Sequence, residues 1–347
     1  MKVGLFDHVG VGDKPLSTLY DERIEFHAAA DEAGFYCLHL AEHHCAPICM
    51  VPSPSVYLGI VARATKRMRL GPLCYLLPLY TPLRMIEEIS MLDHLSRGRM
   101  EVGIGRGVSP FEMGYNNIQH DKTREIFIDA YRCIVEGLTS EILNYRGEHY
   151  TYTNVPMSIR PLQQPTPAFW YGSSNATGST FAGEEGMHFT ANGPTAFAKA
   201  NIDAYRTALK KRGGPAQPKP EFKDGAAIGI LRNIVVADTD AEAVRIAKPA
   251  CEAHHESLNW LRNKHNINEF TARLNVPRAH DLAGMIAEGS TIAGSPQTVL
   301  KAIKQQVDEL GINYLLAYMQ FGTLSLPDSL RSLELFRSEI MPELAKL

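Results

Sequence analysis

The sequence predicts an α/β fold, a (β/α)8 TIM barrel with insertions. Three observations predict it. Short β-branched or apolar runs alternate with longer amphipathic stretches from end to end, and the strand-like runs number eight. Strict alternation of this kind builds a parallel sheet flanked by helices, and eight units in one chain favour closure over an open, doubly wound sheet. The length of 347 residues, with 45% hydrophobic and 21% charged side chains, accommodates one large barrel.

Taken in order, the strands are expected at Val3–Val9, Tyr36–His43, Leu70–Leu77, Met100–Arg106, Phe169–Gly172, His188–Thr190, Ile228–Val236 and Tyr314–Met319. The helical patterns between them are Ser17–Ala33, Ser55–Ala64, Pro82–Leu95, Thr123–Leu138, Thr177–Glu185, Thr195–Lys211, Ala241–Ala253 and Pro296–Leu310, with Asp328–Ala345 closing the chain. In Pro82–Leu95, Leu83, Ile86, Ile89, Leu92 and Leu95 recur at helical spacing behind a first-turn proline. Two segments break the alternation. Tyr145–Gln163 alternates aromatic and polar residues and ends in prolines, which predicts a β-hairpin excursion after the fourth unit. The polar stretch from about His254 to Ser290 has no clear strand and is too long for a plain loop, which makes it a candidate lid ahead of the eighth strand. Neither segment reads as a boundary, so one domain is expected over residues 1–347.

A net charge of −3 provides no basic field for nucleic acid or an anionic bilayer. The N-terminus is interrupted at Asp7 and lacks the apolar core of a secretory signal. No apolar run approaches the roughly 18 residues of a membrane span. A cytoplasmic location is expected, and the six scattered cysteines read as reduced thiols.

In such a barrel the chemistry sits at the C-terminal ends of the strands. "LHLAEHHC", Leu38 to Cys45, ends the second strand with a carboxylate and two histidines. Alternation puts Cys37, His39, Ala41 and His43 on one face and Leu38, Leu40, Glu42 and His44 on the other. With the leucines toward the helices, His43 points into the barrel mouth. A metal reading is disfavoured, because adjacent histidines diverge and Cys45 and Cys49 lack a second clustered pair.

"RMEVGIGRG" puts Gly103, Gly105 and Gly107 on one strand face, and a planar ring is the expected occupant of that bare surface. It is not a dinucleotide fingerprint, because position 108 is Val108. Arg106 ends the strand, placed either for an anion or for a surface salt bridge. "FWYGSSNATGST" runs the fifth strand through Gly172, Ser173 and Ser174 into a helix near Thr177. Hydroxyls and free N–H groups there form either a phosphate cradle or a simple helix cap. Phe6, His8, Cys74, Tyr75, Leu76 and Met113 are expected to line a largely apolar pocket for an aldehyde, ketone or terpenoid-like substrate.

Together "LAEHH", the stretch from Leu70 to Gly107, "TREIFIDAYRCIVEG", "NYRGEHY" and "AGSPQTVLKAI" resemble the bacterial luciferase-like flavin-dependent monooxygenases over nearly the whole chain. The resemblance implies a catalytic role for His43 beside the flavin. It implies phosphate contacts from Arg106, the backbone around Val108, Arg124, Ser174 and Thr177, with Ser173 beside them. It also implies a non-proline cis peptide at Leu73–Cys74 under the isoalloxazine. Gly105 stands where luciferase proper carries a reactive cysteine, which argues against light emission. The implied activity is that of a two-component monooxygenase: reduced FMN from a separate flavin reductase, dioxygen and a C4a-peroxyflavin oxidise a small organic substrate, in a homodimer. The alternatives are a deazaflavin-dependent hydride-transfer enzyme and a non-catalytic flavin-binding barrel.

Overall fold

The computed structural model describes residues 1–266, 279 and 281–347 of the chain. Its strands are β1 (Lys2–Asp7), β2 (Cys37–Leu40), β3 (Arg69–Pro72), β4 (Tyr75–Leu76), β5 (Val102–Gly105), β6 (Ile142–Arg146), β7 (Thr151–Pro156), β8 (Phe169–Ser173), β9 (His188–Ala191), β10 (Ile228–Val236), β11 (Thr291–Gly294) and β12 (Tyr314–Tyr318). The helices are α1 (Leu16–Ala33), α2 (Pro54–Ala64), α3 (Pro82–Leu95), α4 (Pro110–Tyr115), α5 (Thr123–Thr139), α6 (Ala176–Glu185), α7 (Thr195–Arg212), α8 (Asp240–Lys264), α9 (Leu282–Ala287), α10 (Pro296–Leu310), α11 (Leu326–Leu335) and α12 (Met341–Leu344). None of them is long and apolar enough to cross a membrane.

Parallel pairing runs β3-β2-β1-β12-β10-β9-β8-β5-β4, and the ring is nearly closed where Leu70 of β3 bridges Met100 just ahead of β5. Each expected strand contributes to this ring. β6 and β7 pair antiparallel as a separate hairpin, several residues earlier than the aromatic alternation had indicated. The candidate lid needs correction. His254–Lys264 continues α8, and Leu282–Ala287 is helical again as α9. The rest of that segment, residues 267–278 and 280, lies outside the described residues. β11 escaped the sequence reading because four residues, "TIAG", are too short a run; it pairs with the C-terminal half of the nine-residue β10, off the barrel.

Strand alternation sorts the core into two layers. Leu5, Leu38, Leu40, Leu70, Val102, Ile104 and Leu315 face outward and pack with helix residues such as Phe26, Leu58, Val61, Ile86 and Ile89. Phe6, Ala41, Trp170, Tyr314, Leu316 and Tyr318 face inward. The lower interior is polar as well as aromatic. Glu101, wholly buried, accepts from Trp170 Nε1 at 2.7 Å and from Arg69 and Lys219. These two cations hold its carboxyl below the usual range against the opposing effect of burial. Removing one partner of such a buried pair typically costs about 3–5 kcal/mol.

His39 and His188 share that interior. His39 Nε2 lies 2.9 Å from the Tyr314 hydroxyl, and His188 Nδ1 accepts from the Ala227 N–H at 3.0 Å. Burial is the chief cause that lowers them to about 3 and about 4.

β5 is bare for a definite reason. A Cβ on Gly103 would sit 2.1 Å from the Pro72 carbonyl oxygen, and one on Gly105 would sit 2.1 Å from Cys74 Sγ. The chain between β3 and β4 therefore lies directly on this face. This corrects the expectation that a ring packs there, because the glycines make room for backbone instead.

Two predictions follow from these contacts. Gly103→Ala forces Cβ into backbone and should destabilise the fold by about 1–3 kcal/mol, read from the urea midpoint. Gly59→Ala, on α2 with open space around it, should stabilise or be neutral; equal midpoints for the two variants would refute the contact. The unfolded chain protonates its histidines near pH 6.5, whereas folded His39 and His188 stay neutral down to about 3 and about 4. Below about pH 6.5 the unfolded state thus binds more protons, so stability present above that pH is lost on acidification. The slope is up to about 1.4 kcal/mol per pH unit per histidine. Unfolding free energy should fall from pH 6.5 to 4, and a flat profile over that window would contradict the assignment.

Candidate active site

The mouth of the barrel is built from the residues just past the strand ends. β2 stops at Leu40, and Ala41–His44 leave the sheet before Cys45 takes a positive φ of 57°. Glu42 turns back into the protein and is wholly enclosed. Its carboxylate accepts from the Leu76 N–H at 3.0 Å and the Tyr80 hydroxyl at 2.9 Å, and its Oε1 lies 2.7 Å from His44 Nε2. His44 is thereby paired and raised above its ordinary pKa by Glu42 against the opposing cost of burial. Of the three motif residues, two tie β2 to the β4 region and one has no such duty.

That residue is His43, whose side chain is 24% exposed. Its Nδ1 lies 3.0 Å from Oε1 of Glu112, a residue only 3% exposed. The sequence builds this acid locally: in "SPFE", Ser109 caps α4 by accepting from the Glu112 N–H at 3.3 Å, and Pro110 opens the helix. An ionised carboxylate can only accept, so opposite it Nδ1 carries the proton and Nε2 is left to accept one or hand one on. Glu112 was not anticipated from sequence, although the Ser-x-x-Glu pattern that positions it was there to be seen.

Leu73–Cys74 is a cis peptide between β3 and β4. The Cys74 thiol is pushed well up by burial and then by the carboxylates of Glu42 and Glu112, so it is neutral near pH 7. Gly105 lies under Cys74, as its contacts require.

The anion-binding candidates gather on the neighbouring strands. β5 pairs with β8 through Val102↔Phe169 and Gly103↔Trp170, which brings Arg106, immediately after β5, beside the β8 end. Tyr171 of β8 is pushed up to about 12 by burial and then Cys74, against the opposing charges of Arg106 and Arg124. Arg124 is exposed in the first turn of α5, and Val108 is also exposed, at 60%. Asn175 caps α6 by accepting from the Gly178 N–H at 2.9 Å. The cap is thus neither Ser174 nor Thr177, which flank the helix start and are free of that duty. Ser173 differs, because its hydroxyl donates to the Asn175 carbonyl at 2.9 Å and accepts from the Asn175 N–H at 3.2 Å. It shapes the turn rather than facing outward. Two arginines and a ten-residue helix N-terminus with spare hydroxyls suit a phosphate.

The expected apolar pocket requires revision. Tyr75 points into the outer layer, where its hydroxyl meets Ser55 at 2.7 Å. Phe6 does face the mouth, but what surrounds it is partly imidazole. His8 stacks on His43 with centroids 5.6 Å apart and approaches His254 of α8 at 5.5 Å and Tyr318 at 5.3 Å. His254 was unforeseen as a site residue because its helix was expected to end one residue earlier. Among the described residues, one group has metal-ligand spacing, the surface trio Glu125, Glu148 and His149, away from the three clustered imidazoles.

Comparison with known proteins adds three likenesses and a family match. A family model for luciferase-like monooxygenases matches residues 1–314. The chain is 36% identical to an uncharacterised protein of Sinorhizobium fredii, covering 97% of this chain and 96% of that one. It is 25% identical to the oxygenase component of the flavin-dependent trigonelline monooxygenase of Acinetobacter baylyi, covering 99% and 95% respectively. In fold it resembles the oxygenating constituent of 3,6-diketocamphane monooxygenase from Pseudomonas putida, solved in complex with FMN, with a TM-score of 0.81 at 20% identity over 99% and 98% of the two chains.

Proposed function

The chain belongs to the luciferase-like monooxygenase family, and from that premise we propose that it is the oxygenase of a two-component monooxygenase. It takes reduced FMN from a separate flavin reductase, and dioxygen, to oxidise a small organic substrate in the cytoplasm. The observation that carries this reading is the division of the barrel mouth into two ends. Arg106, Arg124 and the α6 start offer an anion site on the β5–β8 side. A half-exposed imidazole with a buried carboxylate behind it stands on the β2 side.

When bound, reduced flavin supplies the electrons that activate dioxygen. The chain's own residues do the rest. Arg106, Arg124, Ser174 and Thr177, with the backbone around Val108, would hold the phosphate, and the Leu73–Cys74 segment that covers Gly105 would support the ring. His43 holds or passes a proton at Nε2, where an imidazole works well near neutral pH. Glu112 keeps the ring in the tautomer that leaves Nε2 available. Phe6, Tyr318 and Phe321 exclude water with apolar surface.

A homodimer is also proposed. Val56 and Ile60 on α2 and Met91 and Leu95 on the neighbouring α3 are 70%, 50%, 48% and 42% exposed, an apolar patch of the kind that marks an interface. Light-scattering mass should be twice that of the 38.5 kDa chain, and a monomer mass at micromolar concentration would exclude the dimer.

Arg106→Glu should weaken FMN, measured by fluorescence quenching, by at least about tenfold, the equivalent of roughly 1.4 kcal/mol; unchanged affinity would remove Arg106 from the phosphate site. His43→Ala should leave FMN affinity unchanged but reduce substrate-stimulated oxygen consumption by about 10²–10⁴. Wild-type rates in that variant would remove His43 from the chemistry.

A further inference from the structure

His8 and His254 are not used by the chemistry above. His8 follows β1, is 8% exposed, and its Nδ1 has no partner among the described residues. A buried imidazole nitrogen left unpaired costs about 1–3 kcal/mol, so such a group is expected to have a use. His254, also 8% exposed, faces it from α8, and His43 stacks on its other side. Around these rings lie Phe6 at 4.8 Å from His8, edge to face, and Phe321 at 5.8 Å from His254.

The surrounding charges determine which ligand suits the cluster. Among the described residues, the carboxylates close by are already committed. Asp7 is held by Arg23 at 3.2 Å, by His27 at 3.0 Å and by the Val9 N–H at 2.7 Å. Glu42 is held by Leu76, Tyr80 and His44, and Glu112 lies against His43. Among the described residues the buried polar atoms left unpaired in this region are His8 Nδ1, Arg23 Nε and Gln320 Oε1, so donors are to hand for an anion and no free carboxylate opposes one. We propose that His8 and His254 form a carboxylate-recognition site beside His43, so that the substrate is a small organic acid. Its acid group is seated on the two imidazoles, and its apolar body lies against Phe6, Tyr318 and Phe321. This rests on the reading that His43 faces the substrate.

The electrostatics agree with that geometry. Burial first, then His254, His43 and Arg23, drive His8 well below its ordinary pKa, and burial with His255 lowers His254 to about 4. Both rings are neutral in the free protein near pH 7. An arriving carboxylate reverses the balance, so binding should draw in a proton and form a charge-assisted hydrogen bond. The titratable and charged groups facing His8 are His43 from the segment after β2, His254 from α8, Arg23 from α1 and Tyr318 from β12, while the adjacent Asp7 is turned to Arg23 and His27.

The experiment is calorimetric titration of the protein with benzoate and with benzamide at pH 7, in buffers of different ionisation enthalpy. Benzoate should bind at least about tenfold more tightly and take up protons, and His8→Phe should abolish the preference. Because His8 is buried, His254→Gln is made in parallel and should reduce the preference on its own, with thermal melting to confirm that each variant is folded. Equal affinities, no binding of either probe, or a preference unchanged in both variants would overturn the proposal. FMN titration of the same samples separates the two readings. Intact FMN binding without carboxylate preference removes the acid site alone, whereas carboxylate preference without FMN binding removes the flavin reading alone.

Discussion

The architecture depends on one close contact: the backbone from Pro72 to Cys74 lies on the side-chain-free face of β5. No residue larger than glycine fits at positions 103 and 105 without displacing that backbone or the Cys74 sulfur. With the glycines in place, β3 can stop at Pro72, cross the barrel mouth through the cis Leu73–Cys74 peptide, and resume pairing with β5 as β4. Glu42 then fastens the far side of the crossing through the Leu76 N–H and the Tyr80 hydroxyl. His43 is the next residue after that anchor, so its position is set by the same crossing. Packing, backbone hydrogen bonding and site geometry are thus three consequences of one bare strand face.

The barrel separates stability from chemistry along its axis. At the lower end, Glu101, Arg69, Lys219, Trp170, His39 and His188 fill the interior with a polar network in which the buried carboxylate is matched by two cations. Such a plug adds little net stability, since the desolvation cost of ion pairs buried this deeply can exceed their attraction. Unpaired ring nitrogens occur at both ends, His39 Nδ1 and His188 Nε2 below and His8 Nδ1 above. At the upper end His43 also keeps one nitrogen beyond its contact with Glu112.

The sequence was most legible where periodicity is strong. All eight barrel strands were evident because each is a short apolar run bounded by turn residues, and the inward direction of the β2 side chains followed from alternation alone. The short β11 and the extension of α8 past Ala253 were not evident. Four residues carry too little pattern, and the polar HHESLNWLRNK stretch conceals helix continuation behind an ordinary solvent face. Among the proposed site residues, His43 and the arginines could be nominated because they stand in recognisable strings. Glu112 and His254 could not, because their significance comes from contacts made 69 residues away in one case and through ring stacking in the other. Tyr75 was misplaced because Cys74, Tyr75 and Leu76 were all assigned to the pocket, whereas neighbours on the two-residue β4 face opposite ways and Tyr75 joins the outer layer.

The central claim is that the β5–β8 side of the mouth grips the phosphate of FMN, leaving the ring toward His43. The most direct measurement compares the affinity of the protein for FMN with that for riboflavin, which carries the same ring without the phosphate. The account predicts FMN binding at least about tenfold tighter at low salt, with the difference shrinking as ionic strength rises. Equal affinity for the two, or a preference insensitive to salt, would contradict it.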